Sequence, residues 1–97
     1  MTVYRHIVLF KLHEDTTEAE RQKAFELLIQ LGKGHAGLLS WHVNWSIDTR
    51  KGHIICEEAE FDSRQAFEDF RLSKAHGEVA EFMREVSDWW VADYLAA

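Results

Sequence analysis

The opening segment, Thr2 to Leu12, constrains this chain more than any other: it alternates like a β-strand, yet it is apolar on both sides. Val3, Ile7 and Leu9 share one side with Arg5 and Lys11. Tyr4, Val8, Phe10 and Leu12 share the other with His6. A strand with one face in water alternates cleanly between apolar and polar residues. A strand apolar on both sides needs cover on both. The last segment, Asp88 to Leu95, repeats the pattern. Trp90, Ala92 and Tyr94 lie on one side, and Trp89, Val91 and Leu95 lie on the other with Asp93.

Between these segments the pattern changes period. Thr17-Glu18-Ala19-Glu20 reads as a capping box, in which a hydroxyl and a carboxylate reciprocally satisfy free backbone N–H groups. Ala24, Leu27, Leu28 and Leu31 continue it as an apolar stripe at helical spacing, which predicts a helix over Thr17 to Leu31. Gly32 and Gly34 are expected to end it in the left-handed conformation. A second strand is predicted over Leu38 to Ile47, with Leu39, Trp41, Val43, Trp45 and Ile47 as an unbroken apolar face. A third is predicted over His53 to Phe61 after a turn at Asp48 to Gly52. Asp62-Ser63-Arg64-Gln65 reads as a looser capping box for a second helix, with Ala66, Phe67 and Phe70 buried. Ser73 is expected to break that helix and cap a further segment bearing Ala75, Val79, Phe82, Met83 and Val86.

The order strand, helix, strand, strand, helix, strand describes an α+β domain spanning 1–97, ferredoxin-like, with a four-stranded antiparallel sheet. Two helices cover only one face of such a sheet. The other would expose a costly apolar patch in a lone copy. A second copy is the simplest cover, so a homodimer is expected.

Composition narrows the class. With 97 residues, one domain is expected, and a domain this short has a limited core. Disulfides cannot supplement it, because Cys56 is the only cysteine; a lone cysteine suits a reducing cytoplasm. The N-terminus lacks the features of a signal peptide, and the apolar run Ile7 to Phe10 is far too short to span a bilayer. The net charge of −6 and the lack of a basic stripe argue against nucleic acid, whose phosphates need Lys and Arg. No histidine pair has zinc spacing, so neither a metal nor another cofactor is expected. Acidic runs such as Glu57-Glu58 and Glu14-Asp15 read as solvated surface.

At this point the chain resembles a known family, the stress-responsive A/B barrel (Dabb) domains of the dimeric α+β barrel superfamily. The likeness lies in the opening Arg5-His6-Ile7-Val8-Leu9-Phe10-Lys11-Leu12 and in Gly37-Leu38-Leu39. It continues through Glu60-Phe61-Asp62-Ser63, Ala75-His76-Gly77-Glu78-Val79 and Val91-Ala92-Asp93-Tyr94. The resemblance implies two sheets facing each other as a barrel, with helices outside. The family includes plant stress proteins without an assigned reaction, and a plant polyketide cyclase that closes an aromatic ring by an aldol step. The wider superfamily contains cofactor-free monooxygenases and haem-degrading enzymes, and Asn44-Trp45 near a histidine is similar to the oxygenases. Fold alone therefore does not decide among these functions.

Two histidines are candidates for chemistry. His6 interrupts the apolar face of Tyr4, Val8, Phe10 and Leu12. His76 falls at the third position of the segment capped by Ser73, where a helix N-terminus favours neutral imidazole. Neutral imidazole is a general base near pH 7. The resemblance implies the same pair, since the cyclase has histidines at positions matching His6 and His76. Phe70 and Leu28 stand where the cyclase has pocket tyrosines. Its His-Pro-x-His reads Ser73-Lys74-Ala75-His76 here, so the same polyketide is not implied.

Each histidine also admits a plain reading, His6 as a core residue satisfied by a backbone carbonyl and His76 as a surface helix residue. The functional reading is a cleft between sheet and helices for a small apolar carbonyl compound. Tyr4, Val8, Phe10, Leu28, Phe70, Val79, Met83 and Tyr94 would line it. One histidine would take a proton beside the carbonyl, and the other would orient or protonate the developing oxyanion. The alternatives are a non-catalytic assembly protein and a cofactor-free or haem-dependent oxygenase.

Overall fold

A computed structural model describes residues 2–97. The elements are β1 (Val3–Leu12), α1 (Glu18–Leu31), β2 (Leu38–Trp45), β3 (Ile54–Phe61), α2 (Arg64–Arg71), α3 (Lys74–Val86) and β4 (Ser87–Ala96). The strands form one antiparallel sheet in the order β2-β3-β1-β4. This is the expected ferredoxin-like α+β arrangement, with the second helix divided in two. The division falls at Ser73, whose hydroxyl donates to Phe70 O at 2.7 Å and accepts from His76 N at 3.2 Å. One side chain thus closes α2 and caps α3.

Register sorts the side chains. Val8 pairs with Glu57 on one side and Val91 on the other; His6 pairs with Ala59 and Asp93. The even residues of β1 therefore share the helix-covered face with Ile55, Glu57, Ala59 and Phe61 of β3 and with Trp89, Val91 and Asp93 of β4. Two groups of buried residues fill that face. One joins Val8, Phe10 and Leu12 to Leu28, Met83 and Val86 of the helices; the other joins Phe61 to Leu31, Phe67 and Phe70. Val79 packs against both groups.

Three local expectations change. Gly32 has φ −74°, so it is not left-handed. It is needed for space, since a Cβ there would collide with the indole of Trp41, whose Nε1 donates to Leu28 O at 3.0 Å. The left-handed glycine is Gly34, with φ 78°. The second cap is Ser63, not Asp62: Ser63 Oγ accepts from Ala66 N at 3.1 Å, while Asp62 N donates to Gly37 O at 2.8 Å. Finally, the apolar face of β2 is shorter than predicted. A bulge between Leu38 and Ser40 turns Leu39 outward, and Ile47 lies beyond the strand and is fully exposed.

The odd-numbered face of β1 has no cover among the described residues. Leu9 is 41% exposed, Trp90 60% and Tyr94 47%. The open face thus carries an apolar patch over β1 and β4, while Ser40, His42 and Asn44 keep it polar over β2.

Candidate functional site

Strand register delivers a polar cluster to the middle of the covered face. His6 is 5% exposed and Glu57 only 3%. His6 Nδ1 lies 2.7 Å from Asp93 Oδ1, and His6 Nε2 lies 3.2 Å from Glu57 Oε2. Asp93 is the direct cross-strand neighbour of His6, and Glu57 is the diagonal one, so antiparallel geometry alone brings the three together. Beyond them, Tyr4 Oη donates to Asp93 Oδ2 at 2.7 Å.

A carboxylate only accepts hydrogen bonds, so an imidazole facing one at each nitrogen is best satisfied as a cation with both nitrogens protonated. Burial opposes that charge, but the hydrogen bond and charge of Glu57 and the charge of Asp93 outweigh it, and the pKa of His6 is raised. Tyr4 is pushed up to about 12, by burial first and then by its bond to Asp93. It stays a phenol at neutral pH.

His76 is tuned the other way. It occupies the third position of α3, and its ring packs edge-on against Phe70 at 5.1 Å. Burial lowers its pKa, and the charges of His6, Arg71 and His35 lower it further. The site therefore couples a histidine whose charged form is favoured with one whose neutral form is favoured.

Both face a cavity of about 390 Å³ between the sheet and the helices. Of the residues picked out from sequence, His6, His76, Val8, Phe10, Leu28, Val79 and Met83 line it. Tyr4 stands behind Asp93 and stacks on Phe67 at 4.5 Å, outside the lining. Phe70 also lies behind it, as a wall that both histidine rings touch. Tyr94 is the clearest departure. It lies on the open face, where its hydroxyl accepts from Arg5 at 3.4 Å. Its neighbour Asp93 enters the cavity instead, because adjacent strand residues point to opposite faces.

Glu57 corrects the reading of Glu57-Glu58 as solvated surface, since only Glu58 is exposed. Glu57 and Asp93 were the functional residues missed, and each carried the same signal as His6: a polar residue interrupting an apolar strand face. Asn44 and Trp45 do not form one site. Trp45 stacks on Phe25 at 5.5 Å under the helices, and Asn44 points to the open face. His42 pairs with Glu58 in register, and the His53 ring lies edge-on to Trp45. Cys56 is half-buried, and burial followed by the charge of Glu58 pushes its pKa up, which suits an inert thiol. Among the described residues, no group of three or more His, Cys, Asp or Glu is placed to hold a metal ion. No helix among them is long and apolar enough to cross a membrane.

Solved structures share this fold. A dimeric ferredoxin-like protein of unknown function from Thermobifida fusca is 14% identical, with a TM-score of 0.87 over 98% of this chain and 92% of that one. A hydroxynitrile lyase from Passiflora edulis is 20% identical, with a TM-score of 0.81 over 98% and 94%. SnoaB, a cofactor-independent oxygenase from Streptomyces nogalater, is 15% identical, with a TM-score of 0.81 over 100% and 95%. No curated protein matches the chain by sequence. The family model for the stress responsive A/B barrel domain (Dabb) matches residues 4–96, and the chain belongs to that family.

Proposed function

We propose that this member of the stress-responsive A/B barrel family binds a small, mostly apolar carbonyl compound in the cavity and moves a proton beside its carbonyl. One observation carries the reading: a buried His6 clamped between Glu57 and Asp93 shares a cavity with a half-buried His76 tuned in the opposite sense. His76, neutral, accepts the proton from carbon. The charge left on the carbonyl oxygen is met by the Nε2–H of His6, which shares its longer, 3.2 Å bond to Glu57 with that oxygen, while the 2.7 Å bond from Nδ1 to Asp93 holds the ring in place. Apolar walls with a few convergent polar groups suit such a ligand, and the volume falls in the usual range for small-molecule sites. Aldol-type ring closure and lyase cleavage by elimination both begin with this proton transfer. The hydroxynitrile lyase and the cofactor-independent oxygenase among the structural neighbours are compatible with chemistry on a small organic substrate in this fold.

The test needs no knowledge of the natural substrate. In D2O near pH 7.5, propiophenone should exchange the protons next to its carbonyl faster with the protein than without it. His76→Ala should lower that catalysed rate by about 10²–10⁴-fold, with an unchanged melting temperature. Equal rates for the wild type and His76→Ala would overturn the assignment.

The second part of the proposal is a homodimer formed through the open face, in a reducing compartment such as the cytoplasm. Exposure of Leu9, Trp90 and Tyr94 on one face supports the pairing. So does the solved neighbour from Thermobifida fusca, which is a dimeric ferredoxin-like protein. Light scattering after gel filtration tests it, and a mass of one chain at micromolar concentration would contradict it.

A further inference from the structure

The charges around the cavity are sorted by wall. The sheet side carries the acids, Glu57 and Asp93, and both are occupied: His6 lies between them, and Tyr4 donates to Asp93. The helix side carries only bases, namely Arg71 at the end of α2 and His76 and Arg84 on α3. His76, Ala80 and Arg84 recur every four residues, so they lie along one helix face that looks into the cavity. Arg71 is half-compensated by Glu68, 2.8 Å from its guanidinium. Arg84 makes no ion pair among the described residues. Both arginines are exposed, which places them at the mouth. His6 and its two carboxylates keep their negative charge on the sheet wall, and the unpaired positive charge of the lining is Arg84, on the opposite wall at the mouth.

We infer that the cavity takes an anion: an apolar carbonyl compound bearing one carboxylate, held at the mouth by Arg84 with help from Arg71. This rests on the carbonyl-site reading above. The apolar body would lie along Leu28, Val79 and Met83, the carbonyl would sit between the histidines, and the carboxylate would meet the guanidinium groups. Guanidinium matches a carboxylate in shape and number of donors, so the pair can form two parallel charge-assisted hydrogen bonds, which are stronger than neutral ones.

The test is calorimetric titration with a matched pair of probes, 4-oxo-4-phenylbutanoate and its neutral amide. The wild type should bind the acid about tenfold more tightly than the amide. Arg84→Gln should cut that preference to about threefold or less while leaving amide binding unchanged, and Arg84→Lys should restore part of it. Raised salt should weaken the acid and spare the amide. Equal binding of acid and amide by the wild type would overturn the inference while leaving the carbonyl site standing. So would a preference that survives in the Arg71→Gln, Arg84→Gln double variant. Binding of neither probe at millimolar concentration would overturn both. Arg84 is exposed at the last turn of α3, so the variants should keep the fold, which circular dichroism checks.

Discussion

The two faces of the sheet use the same strands to opposite ends. On the covered face, β1, β3 and β4 bury a histidine between two carboxylates, and the rings of Phe67 and Phe70 from α2 pack against it. On the open face, the residues one step along the same strands are Leu9, Trp90 and Tyr94, and nothing among the described residues covers them. The difference is one of position along the chain by a single residue. Charge is concentrated where it is most expensive to bury, and apolar area is left where it is most expensive to expose. Neither arrangement suits a lone inert domain. Buried charge needs a partner or a task, and a large exposed apolar patch needs a cover.

Breaking the covered face should cost the most. His6→Leu leaves Glu57 and the inner oxygen of Asp93 without their donor, and losing one member of a buried ionic cluster costs about 3–5 kcal/mol. Urea denaturation should show that loss. Adding Glu57→Leu should recover part of it, because the second change removes the stranded charge. If His6→Leu alone were neutral, the cluster would not be the tight ionic unit described.

Breaking the open face should cost less and show in association rather than in the fold of each copy. Trp90→Glu places a charge in the apolar patch and should weaken pairing by about 2 kcal/mol or more, as expected for a central aromatic anchor. Sedimentation velocity would register it as a shift to the smaller species. Asn44→Asp, on the polar part of the same face over β2, serves as the mild comparison.

The smallest effect is a pH dependence within the covered face, and its two histidines pull against each other. His6 has a raised pKa in the fold, so its stabilisation is complete below the ordinary value of 6.5 and is lost as pH rises through the raised one. His76 has a lowered pKa, so the fold disfavours its charge, and stability is lost as pH falls below 6.5. Glu57→Gln should therefore flatten the alkaline side of a plot of urea midpoint against pH, and His76→Phe the acidic side. The reverse assignment of the two limbs would refute the tuning.

Much of this was legible in the residues, for a definite reason. Alternation on β1 and β4 states which side chains share a face, and two apolar faces state that both need cover. Periodicity and the Ser73 cap located α3 and placed His76 at its third position. What escaped was carried by parity rather than by residue type. Glu57-Glu58 looks like a solvated acidic pair until β3 is followed residue by residue, when Ile55, Ala59 and Phe61 draw Glu57 inward. The same parity sends Asp93 into the cavity and Tyr94 away from it. Gly32 escaped differently, because the space it leaves is filled by Trp41, a residue of another element.

The opposed tuning of His6 and His76 is the centre of the proposed function, and titration of the imidazole resonances by nuclear magnetic resonance tests it most directly. With six histidines in the chain, the His6→Gln and His76→Gln variants assign the signals. The prediction is a His6 that titrates above 6.5, with both ring nitrogens protonated at neutral pH, and a His76 that titrates below it. A His6 that is neutral at pH 7, or that loses its proton at lower pH than His76, would contradict the account.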